Sequence, residues 1–537
     1  METQFDYVVV GAGSSGCAVA ARLAEKGNKT LLVEAGGHDK RFWIQVPIGY
    51  GRLYYDGRVN WKYKTENDPG LNGRSEYWPR GKVMGGSSSI NAMVYIRGQA
   101  QDYDDWEADG NPGWSYKDVL PYFRKSEGNL RGEDAYHGGS GPLKVSDVER
   151  HPLTETFFQG MREMQIPENF DFNGARQEGY GPYQLTTDGF RRCSSARAFL
   201  SNAGSLKDLT IEKNAMVTRI LFEGRKAVGI ECQSHGRTRQ IRVAREVIVS
   251  AGAINSPQLL QLSGIGPAGL LQRHGIEVVQ DLPGVGRNMQ DHLFFPFQYK
   301  VRKPSLNAQL NGMVAQLIAG MRYVFAKSGP LAASINHGGA FVRTRQDLDR
   351  PDQQLYFVPA TYGNTAKVAN PEKMIIDPFP GIGINVSPCR PTSRGHLEIV
   401  SARPEQAPSI HPNYLSTDED VADALAGARF VRRLAKTPAM ADLIEQELLP
   451  WPDDDDDEKA ILRLRQTGRT TYHPSSTCMM GPDTQTAVVD AKLRVHGIGG
   501  LRVVDASIMP RMISGNTNAC AIMIGERGAD FILNDNK

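Results

Sequence analysis

The chain has 537 residues, more than one hydrophobic core usually holds, so two or three domains are expected. Its 62 Lys and Arg residues nearly balance its 60 Asp and Glu residues, which argues against the concentrated basic surface that a nucleic-acid partner requires. The six cysteines form no C-x-x-C pair, which excludes a disulfide framework and a zinc site, and no apolar run reaches the 18 residues of a membrane span. We therefore predict no metal site and, because the N-terminus lacks a basic and apolar leader, a cytoplasmic protein.

The first 35 residues carry the pattern of a dinucleotide-binding unit. An apolar run over 5–10 leads into a G-x-G-x-x-G motif at Gly11, Gly13 and Gly16, a helix start follows, and a second apolar run ends at Glu34. In such units the first glycine permits a tight turn, the second lets the backbone approach a pyrophosphate, and the third lets helix and strand pack closely. The helix N-terminus presents free N–H groups to the phosphates, and the acid accepts from a ribose hydroxyl. The stretch predicts binding of FAD or NAD rather than NADP.

A second Gly-rich segment lies between residues 80 and 98. Gly85 and Gly86, followed by three serines, leave consecutive backbone N–H groups without bulk over them. This pattern predicts a second anion cradle, or a backbone that lies flat against a planar ligand. A Gly/Ser linker is the alternative, but an apolar run follows directly, whereas linkers are flanked by polar sequence.

Beyond residue 200 the patterns indicate two kinds of sheet. The stretch 209–249 alternates in short runs that predict a strand meander. From about residue 295 the composition changes, and runs at 354–358 and 381–386 predict an open antiparallel sheet. Apolar residues recur at three- and four-residue steps over 417–437, which predicts an amphipathic helix, and a final helix is predicted over 519–533.

Two further stretches concern the surface of the protein. Residues 312–326 are apolar enough to lie on a bilayer surface, although a buried helix or the lip of an apolar pocket is the favoured interpretation. Asp453 begins a run of six acids that ends at Glu458. We expect a solvated surface turn there, because repelling carboxylates in a flexible run form no metal cage.

Four segments of the chain resemble the glucose–methanol–choline (GMC) oxidoreductases, which are FAD enzymes that oxidise alcohols. They are the N-terminal unit 11–34, the stretch 80–91 (RGKVMGGSSSIN), the stretch 252–267 (GAINSPQLLQLSGIGP), and a C-terminal set made of 472–474 (YHP), 504–506 (VDA) and 515–518 (GNTN). Within this family the chain is most similar to bacterial alcohol and sugar dehydrogenases of the sorbose-dehydrogenase and medium-chain-alcohol-dehydrogenase kind.

The resemblance implies an α/β and α+β fold. A doubly wound, Rossmann-like FAD-binding domain would be interleaved with a substrate-binding domain built on an antiparallel sheet. We assign residues 1–150, 196–300 and 460–537 to the FAD-binding domain, and residues 151–195 and 301–459 to the substrate-binding domain.

The resemblance also implies which residues hold FAD. They are Gly11, Gly13, Ser14, Ser15, Gly16, Glu34, Ala35, Val83, Gly85, Asn91, Ala92, Met93, Val94, Val217, Asp505, Ala506 and Asn518. Val217 would meet the adenine through its backbone, and Asp505 and Ala506 would meet the flavin half.

Some members attach FAD covalently through a histidine, and the matching position here is Ile90. An aliphatic side chain cannot form that bond, so we predict dissociable, non-covalent FAD.

The chemistry of alcohol oxidation needs a base for the hydroxyl proton and an acceptor for the hydride, which is flavin N5. A base that titrates near neutrality favours histidine, and His473 matches the family's catalytic histidine. The second catalytic group matches Asn518, whose amide would donate to the substrate oxygen; Asn516 is two residues away, so a local turn role fits one of the two. His337 is a candidate for the substrate pocket, where relatives often place a glutamate, and His292 is expected to be structural at the domain junction.

The expected function is therefore FAD-dependent oxidation of a small alcohol, which would be a primary alcohol, a sugar or a polyol. Electrons would pass to a quinone or another non-oxygen acceptor. An oxidase that releases hydrogen peroxide is the alternative within the same class, and a lyase that uses FAD structurally is a more distant one. The presence of both His473 and Asn518 disfavours a non-catalytic flavoprotein.

Overall fold

The structure is a computed structural model that describes residues 5–147, 149–201, 206–363, 375–452 and 456–536. Its α-helices, in chain order, are α1 (Ser14–Glu25), α2 (Phe42–Gln45), α3 (Tyr50–Leu53), α4 (Ala100–Ala108), α5 (Tyr116–Ser126), α6 (Leu153–Glu163), α7 (Ser195–Leu200), α8 (Gly252–Leu262), α9 (Ala268–Arg273), α10 (Leu306–Leu310), α11 (Met313–Met321), α12 (Asp418–Ala435), α13 (Pro438–Leu443), α14 (Asp457–Thr467) and α15 (Asn518–Asp535). Its strands are β1 (Phe5–Val10), β2 (Thr30–Glu34), β3 (Tyr63–Lys64), β4 (Tyr77–Trp78), β5 (Glu127–Asn129), β6 (Leu143–Val145), β7 (Gly179–Gly181), β8 (Leu209–Lys213), β9 (Ala215–Glu223), β10 (Lys226–Ser234), β11 (Arg237–Val249), β12 (Ile265–Gly266), β13 (Gln280–Asp281), β14 (Leu293–Val301), β15 (Gly338–Val342), β16 (Gln353–Val358), β17 (Gly381–Pro388), β18 (His396–Glu398), β19 (Ser409–His411), β20 (Ile444–Glu447), β21 (Arg469–Thr470) and β22 (Leu501–Val503).

The first sheet carries the N-terminal motif at its centre. β1 pairs in parallel with β2 on one side and with β11 on the other, and β8 and β22 extend this parallel part. The expected strand–helix–strand unit is confirmed, because α1 connects β1 to β2. In the predicted meander, β9, β10 and β11 pair antiparallel as expected. The first run is different: β8 pairs in parallel with β2, and Asn214, with a φ of 55°, turns the chain between β8 and β9.

The two ends of the chain meet on one side of this sheet. The valines of β1 and the leucines of β2 are buried in the core that α1 and α15 cover. The two helices approach so closely that a Cβ on Gly525 would lie 2.6 Å from the carbonyl oxygen of Ser15. This packing brings the residues before and within α15 next to the N-terminal glycine motif.

The second sheet is antiparallel throughout and runs in the order β20, β14, β17, β16, β15, β7, with β21 beside β14. The two predicted runs are β16 and β17, so the expected antiparallel sheet is confirmed. α12 contacts it, and Leu425, Ala428 and Val431 on the predicted apolar side are buried. Residues 293–300, which the sequence assigns to the FAD-binding domain, pair within this second sheet as part of β14. The remaining domain boundaries stay predictions.

The two surface stretches differ in outcome. The sequence favours a buried helix or a pocket lip at 312–326, and burial is wrong, because α11 and the turn after it expose apolar side chains, Met313 by 89% and Phe325 by 83%. In the acidic run, residues 453–455 lie outside the described residues, while Asp456 caps α14 by accepting a backbone N–H. Among the described residues, no helix combines the length and the apolarity that crossing a membrane requires.

Candidate active site

A cavity with an empty volume of about 1740 Å³, part of it open to solvent, gathers most of the residues expected at the cofactor. Its lining comes from the N-terminal motif, the second Gly-rich segment, the start of β9, α8, the turn after β21, and the start of α15. Segments from both sheets therefore contribute to a single site.

The three glycines of the N-terminal motif lie in different steric surroundings. Gly11 has a φ of +98°, in the left-handed region that favours glycine. A Cβ on Gly16 would lie 1.9 Å from the Gly11 carbonyl oxygen, so α1 and β1 pack too closely for a side chain. The tight turn and the close packing expected of these two glycines are confirmed. At Gly13, by contrast, a Cβ would meet only the Ser250 oxygen at 3.8 Å, so the protein leaves room there, and Gly13 lines the cavity.

The N-terminus of α1 opens into the same cavity. Ser14 and Ser15 line it, the preceding Gly13 provides no side-chain cap, and the first turn contains no acidic residue. The positive end of the helix dipole and the N–H groups of the first turn are thus available for a negative ligand.

Glu34 is buried at the end of β2 and lines the cavity. Its Oε2 accepts from the Ala12 N–H at 2.9 Å and its Oε1 accepts from the Gly36 N–H at 2.8 Å. Burial raises the pKa of Glu34 to about 7, and the two backbone hydrogen bonds oppose this shift. Because a carboxylate has about four acceptor positions, two remain for a ligand hydroxyl.

The second Gly-rich segment is hydrogen-bonded to the N-terminal glycine motif and packs closely against it. The Gly85 N–H donates to the Ala12 carbonyl oxygen at 2.7 Å, and a Cβ on Gly86 would lie 2.7 Å from the Gly13 Cα. Gly85 and Val83 were expected to contact the cofactor, but neither lines the cavity: Gly85 holds the N-terminal loop, and Val83 is buried in an apolar cluster. The lining residues of this segment include Ile90, Asn91, Ala92, Met93 and Val94.

His473 follows a residue in a strained backbone conformation. Tyr472 has a φ of +65°, which bulky residues rarely adopt. Three hydrogen bonds hold this turn: Arg80 donates to the Tyr472 carbonyl oxygen at 2.8 Å, the Tyr472 N–H donates to Thr470 Oγ1 at 2.8 Å, and the His473 N–H donates to Asp291 Oδ1 at 2.7 Å. The position of the imidazole is therefore set by residues from three segments of the chain.

The neighbours of His473 decide which ring nitrogen carries its proton. His292 Nε2 lies 2.9 Å from the Cys389 carbonyl oxygen, which can only accept, so that nitrogen carries the proton and His292 Nδ1 is an acceptor. His292 Nδ1 lies 3.0 Å from His473 Nδ1. Thr471 Oγ1 lies 3.0 Å from the same nitrogen and donates its own proton to the His292 carbonyl oxygen. Because both neighbours are acceptors, His473 carries its proton on Nδ1, and Nε2 keeps a lone pair.

Burial keeps both imidazoles neutral at pH 7. It lowers the pKa of His292 to about 4. The pKa of His473 lies well below its ordinary value, first because of burial and then because of His292 and the positive charge of Arg80. Burial also raises the pKa of Asp291 to about 6, against the hydrogen bonds that it accepts.

The amide beside His473 belongs to Asn516. Its Nδ2 lies 3.3 Å from His473 Nε2, and its Oδ1 accepts from Gln354 at 3.2 Å, which turns the amide NH₂ toward the imidazole. Asn518, expected to be the partner of His473, instead accepts from the Ser14 hydroxyl at 2.7 Å. That expectation is wrong, because Asn518 is the first residue of α15 and points toward α1, whereas Asn516 lies in the segment before the helix.

His337 does not line this cavity, and its assignment to the substrate pocket stays a prediction. It immediately precedes β15, is only 3% exposed, and accepts from the His151 N–H at 2.9 Å through Nδ1. Burial lowers its pKa to about 4. Burial therefore keeps this imidazole neutral at pH 7.

The other expected cofactor residues are placed as follows. Those that line the cavity are Gly11, Gly13, Ser14, Ser15, Glu34, Ala35, Asn91, Ala92, Met93, Val94, Val217, Asp505, Ala506 and Asn518. Gly16 lies behind the motif, where it packs helix against strand. Lining residues that the motifs did not single out include Tyr54, Trp61, Arg80, Tyr472 and Asn516. Arg80 and Asn516 fall inside the matched segments, so the spacing to their neighbours was the signal that could have identified them.

Two models, both described as GMC oxidoreductase, match residues 5–294 and 391–525. The chain belongs to the GMC oxidoreductase family.

It is 41% identical over 541 residues to the oxygen-dependent choline dehydrogenase of Photobacterium profundum, covering 99% of this chain and 94% of that protein. It is also 41% identical to the alcohol dehydrogenase (acceptor) of Pseudomonas putida, covering 98% and 96%. A structure of Aspergillus oryzae formate oxidase matches with a TM-score of 0.91 at 28% identity, covering 99% of this chain and 98% of that one.

This GMC oxidoreductase binds FAD, the cofactor whose modification was studied in the formate oxidase. The cavity fits this cofactor on its own geometry. The open side of Gly13 and the uncapped start of α1 can accommodate a pyrophosphate, and Glu34 offers free acceptor positions for a ribose hydroxyl. Ile90 lines the cavity and has no group that could bond covalently to a flavin, so non-covalent binding stays our prediction.

Proposed function

We propose that this protein oxidises the hydroxyl group of a neutral alcohol to a carbonyl group, with His473 as the base. Electrons would pass to a quinone or another acceptor other than oxygen. The observation that carries the proposal is the unprotonated Nε2 of His473, held 3.3 Å from the Asn516 amide in the wall of the FAD-binding cavity. The family relationship supports it, since the compared relatives include dehydrogenases named for choline and for alcohols.

His473 would accept the hydroxyl proton at Nε2. Its lowered pKa keeps the ring neutral at pH 7, so the lone pair is available without prior deprotonation. When the ring takes up the proton, its Nδ1–H still donates to acceptors, which are His292 Nδ1 and Thr471 Oγ1. These two contacts also prevent the ring from turning its protonated nitrogen toward the substrate.

Asn516 would stabilise the substrate oxygen as it loses its proton. An amide NH₂ can donate a hydrogen bond but cannot take a proton at this pH. A hydroxyl that donates to His473 Nε2 would bring its oxygen within reach of Asn516 Nδ2, because the two nitrogens are 3.3 Å apart. Donors aimed at a developing negative charge contribute strongly in a site that excludes water.

We assign the FAD-holding roles as follows. Glu34 would accept from the ribose, Gly13 and the start of α1 would receive the pyrophosphate, and residues 90–94 would lie along the flavin half. When bound, FAD accepts the hydride from the alcohol carbon.

The charges in the cavity favour a neutral substrate over a quaternary ammonium alcohol. Among the described residues, the carboxylates that line the cavity are Glu34 and Asp505. Asp505 accepts from the Gly252 N–H at 2.8 Å and from the Ser256 hydroxyl, so it is already engaged. The guanidinium of Arg80 lies against the turn that carries His473. A cationic substrate would meet this positive charge beside the base, while the carboxylate that faces Arg80, Asp291, accepts from the His473 N–H at 2.7 Å and does not line the cavity.

A second candidate is oxidase activity, because the compared proteins include an oxygen-dependent dehydrogenase and a formate oxidase. Hydrogen peroxide formed per alcohol oxidised in air separates the two. A yield near zero supports the dehydrogenase, and a yield near one supports the oxidase.

The decisive experiment is anaerobic reduction of the bound flavin by a panel of primary alcohols, sugars, polyols and choline. We expect neutral alcohols to bleach the flavin absorbance, and His473→Ala to lower the rate about 10²–10⁴-fold with FAD still bound. His38→Ala removes an exposed histidine outside the cavity and should change neither property. An unchanged rate in His473→Ala, or loss of FAD together with activity, would overturn the assignment of His473 as base.

A further inference from the structure

The helix α11 and the turn that follows it carry an exposed apolar surface. We call this surface the apolar ridge and define it by Met313, Val314, Leu317, Ile318, Met321, Val324 and Phe325, which are exposed by between 46% and 89%. Of residues 313–326, only Ala319 and Tyr323 are buried. A surface helix of a globular protein usually turns its apolar side inward, so the pattern here is reversed. A contiguous exposed apolar surface of this kind marks a site of contact with another protein or with a membrane.

The apolar ridge is fastened to the protein in its outward orientation. Tyr323 packs on the ring of Phe190, with centroids 6.4 Å apart, and joins a buried cluster with Val46 and Ala332. Just before the ridge, the Asn307 side chain donates to the Thr361 carbonyl oxygen at 2.9 Å. The helix α11 and the turn after it are therefore held by buried contacts on one side, and their apolar side chains point away from the protein.

The charges around the ridge are positive. From residue 292 to residue 346 the chain contains no Asp or Glu, and Arg322 and Lys327 lie at the C-terminal end of the ridge. Glu149, from another segment, pairs with Arg322 at 3.0 Å. An apolar helix face flanked by cations complements a membrane surface, where acyl chains lie beneath anionic headgroups.

The ridge offers little that a protein partner would need. A protein–protein interface usually forms about one hydrogen bond per 100–200 Å² around its apolar core. The exposed polar side chain within α11 is Gln316, and its amide already donates to the Leu310 carbonyl oxygen at 3.2 Å. Arg322 and Lys327 lie at the C-terminal end of the ridge, where long side chains can reach headgroups while the apolar residues before them enter the acyl region.

Buried apolar residues beneath the ridge contact residues that lie beside the active-site cavity. Ile48 packs both against the cluster under Tyr323 and against a neighbouring cluster that includes Tyr54 and Ala92. Tyr54 and Ala92 line the cavity. Apolar contacts through Ile48 thus connect Tyr323, which is buried beneath the ridge, with residues around the cofactor site.

We propose that the apolar ridge docks this protein onto the surface of a lipid bilayer that contains anionic headgroups. The seven ridge side chains enter the interfacial region, and Arg322 and Lys327 at the C-terminal end of the ridge contact the headgroups. The docking does not depend on the identity of the substrate or of the electron acceptor.

The test is co-sedimentation of the FAD-bound full chain with vesicles of phosphatidylcholine and phosphatidylglycerol. We expect the protein to bind, and the triple variant Met313→Ser, Leu317→Ser, Phe325→Ser to bind at least tenfold more weakly. A matched control replaces three apolar residues exposed elsewhere, Leu130→Ser, Phe170→Ser and Leu462→Ser, and should bind as the unaltered protein does. Both variants should keep FAD and the unaltered rate with a water-soluble alcohol and a dye, which shows that they are folded.

Two further measurements test whether the headgroup charge contributes to binding. Vesicles of phosphatidylcholine alone, or added salt, should weaken binding, because they remove or screen the headgroup charge. Absence of binding by the unaltered protein, or equal binding by the ridge variant, overturns the proposal. A concentration-dependent dimer that the ridge substitutions abolish, without vesicle binding, also overturns it and identifies a second copy of this chain as the occupant.

Discussion

The imidazole of His473 is oriented by two acceptors on the side that faces away from Asn516. His292 Nδ1 and Thr471 Oγ1 both lie 3.0 Å from His473 Nδ1, and neither has a proton to offer it. The sequence shows that a histidine at 473 suits the chemistry. It does not show that His292, 181 residues earlier, selects the tautomer.

The two asparagines before and at the start of α15 should respond differently to substitution. Asn516→Ala removes the amide next to His473 Nε2, so we expect the rate of anaerobic flavin reduction to fall about 10²-fold while FAD affinity is retained. Asn518→Ala removes the partner of the Ser14 hydroxyl at the start of α1, so we expect weaker FAD binding and a smaller loss of rate at saturating FAD. Rapid-reaction spectrophotometry with each variant measures both quantities. The opposite ranking of the two rates would return the catalytic role to Asn518.

Glu34 should make FAD binding depend on pH. In the free protein its pKa is about 7, and binding to a ribose hydroxyl requires the carboxylate, so below pH 7 binding must release a proton. Affinity should therefore be constant above pH 7 and fall as the pH decreases below 7, by at most about tenfold per unit. Titration of apoprotein with FAD at a series of pH values checks this. Glu34→Gln should bind more weakly at high pH and lack the slope; the same slope in that variant would assign the proton to another group.

At the scale of elements, the short-range patterns predict most of the sheet and helix positions. β1, α1 and β2 follow from the valine and glycine pattern, and α12 follows from its three- and four-residue spacing. β8 illustrates the limit, because its residues suit a strand in either direction, and the sequence pattern does not show that it pairs in parallel with β2. α11 illustrates another limit, since an apolar helix has the same composition whether it is buried or exposed.

The loop that joins β1 to α1 provides a matched pair of substitutions. Gly16→Ala places a Cβ 1.9 Å from the Gly11 oxygen, so strand and helix must separate, and we expect a loss of about 1–3 kcal/mol or more in the free energy of unfolding of the apoprotein. Gly13→Ala meets only an ordinary contact at 3.8 Å, so the apoprotein should keep its stability while FAD affinity falls. Denaturant unfolding and FAD titration separate the two effects. Unchanged FAD affinity in Gly13→Ala would show that the pyrophosphate does not approach this glycine.

At the scale of the whole molecule, the cofactor site joins segments from across the chain. The cavity is lined by some of the residues between positions 10 and 35 near the N-terminus, by residues of β9 and α8 in the middle, and by some of the residues between positions 471 and 521 near the C-terminus. Strand pairing between β14 and β21 brings His292 to Thr471, and packing of α15 on α1 brings Asn518 to Ser14. A ligand in this cavity contacts all of these segments together.

FAD should therefore stabilise both sheets as one unit. A ligand that binds only the native state adds about 2.7 kcal/mol at a free concentration 100 times its Kd. We expect scanning calorimetry of the FAD-bound protein to show a single unfolding transition that moves to higher temperature as free FAD is increased. Two transitions, of which only one responds to FAD, would instead mean that the antiparallel sheet unfolds independently of the cofactor site.

The sequence by itself determined the dinucleotide-binding unit, the family and the cofactor, and it predicts the histidine at 473 as the base. These depend on residue types at short spacings, such as the three glycines and the acid between 11 and 34, whose steric and hydrogen-bonding roles are local. Only the tertiary structure decided that Asn516 rather than Asn518 faces His473, that His292 contacts it, and that α11 turns its apolar side outward. The direction of a side chain at these positions depends on which distant strand or helix packs beside it, and residues two positions apart can point to different neighbours.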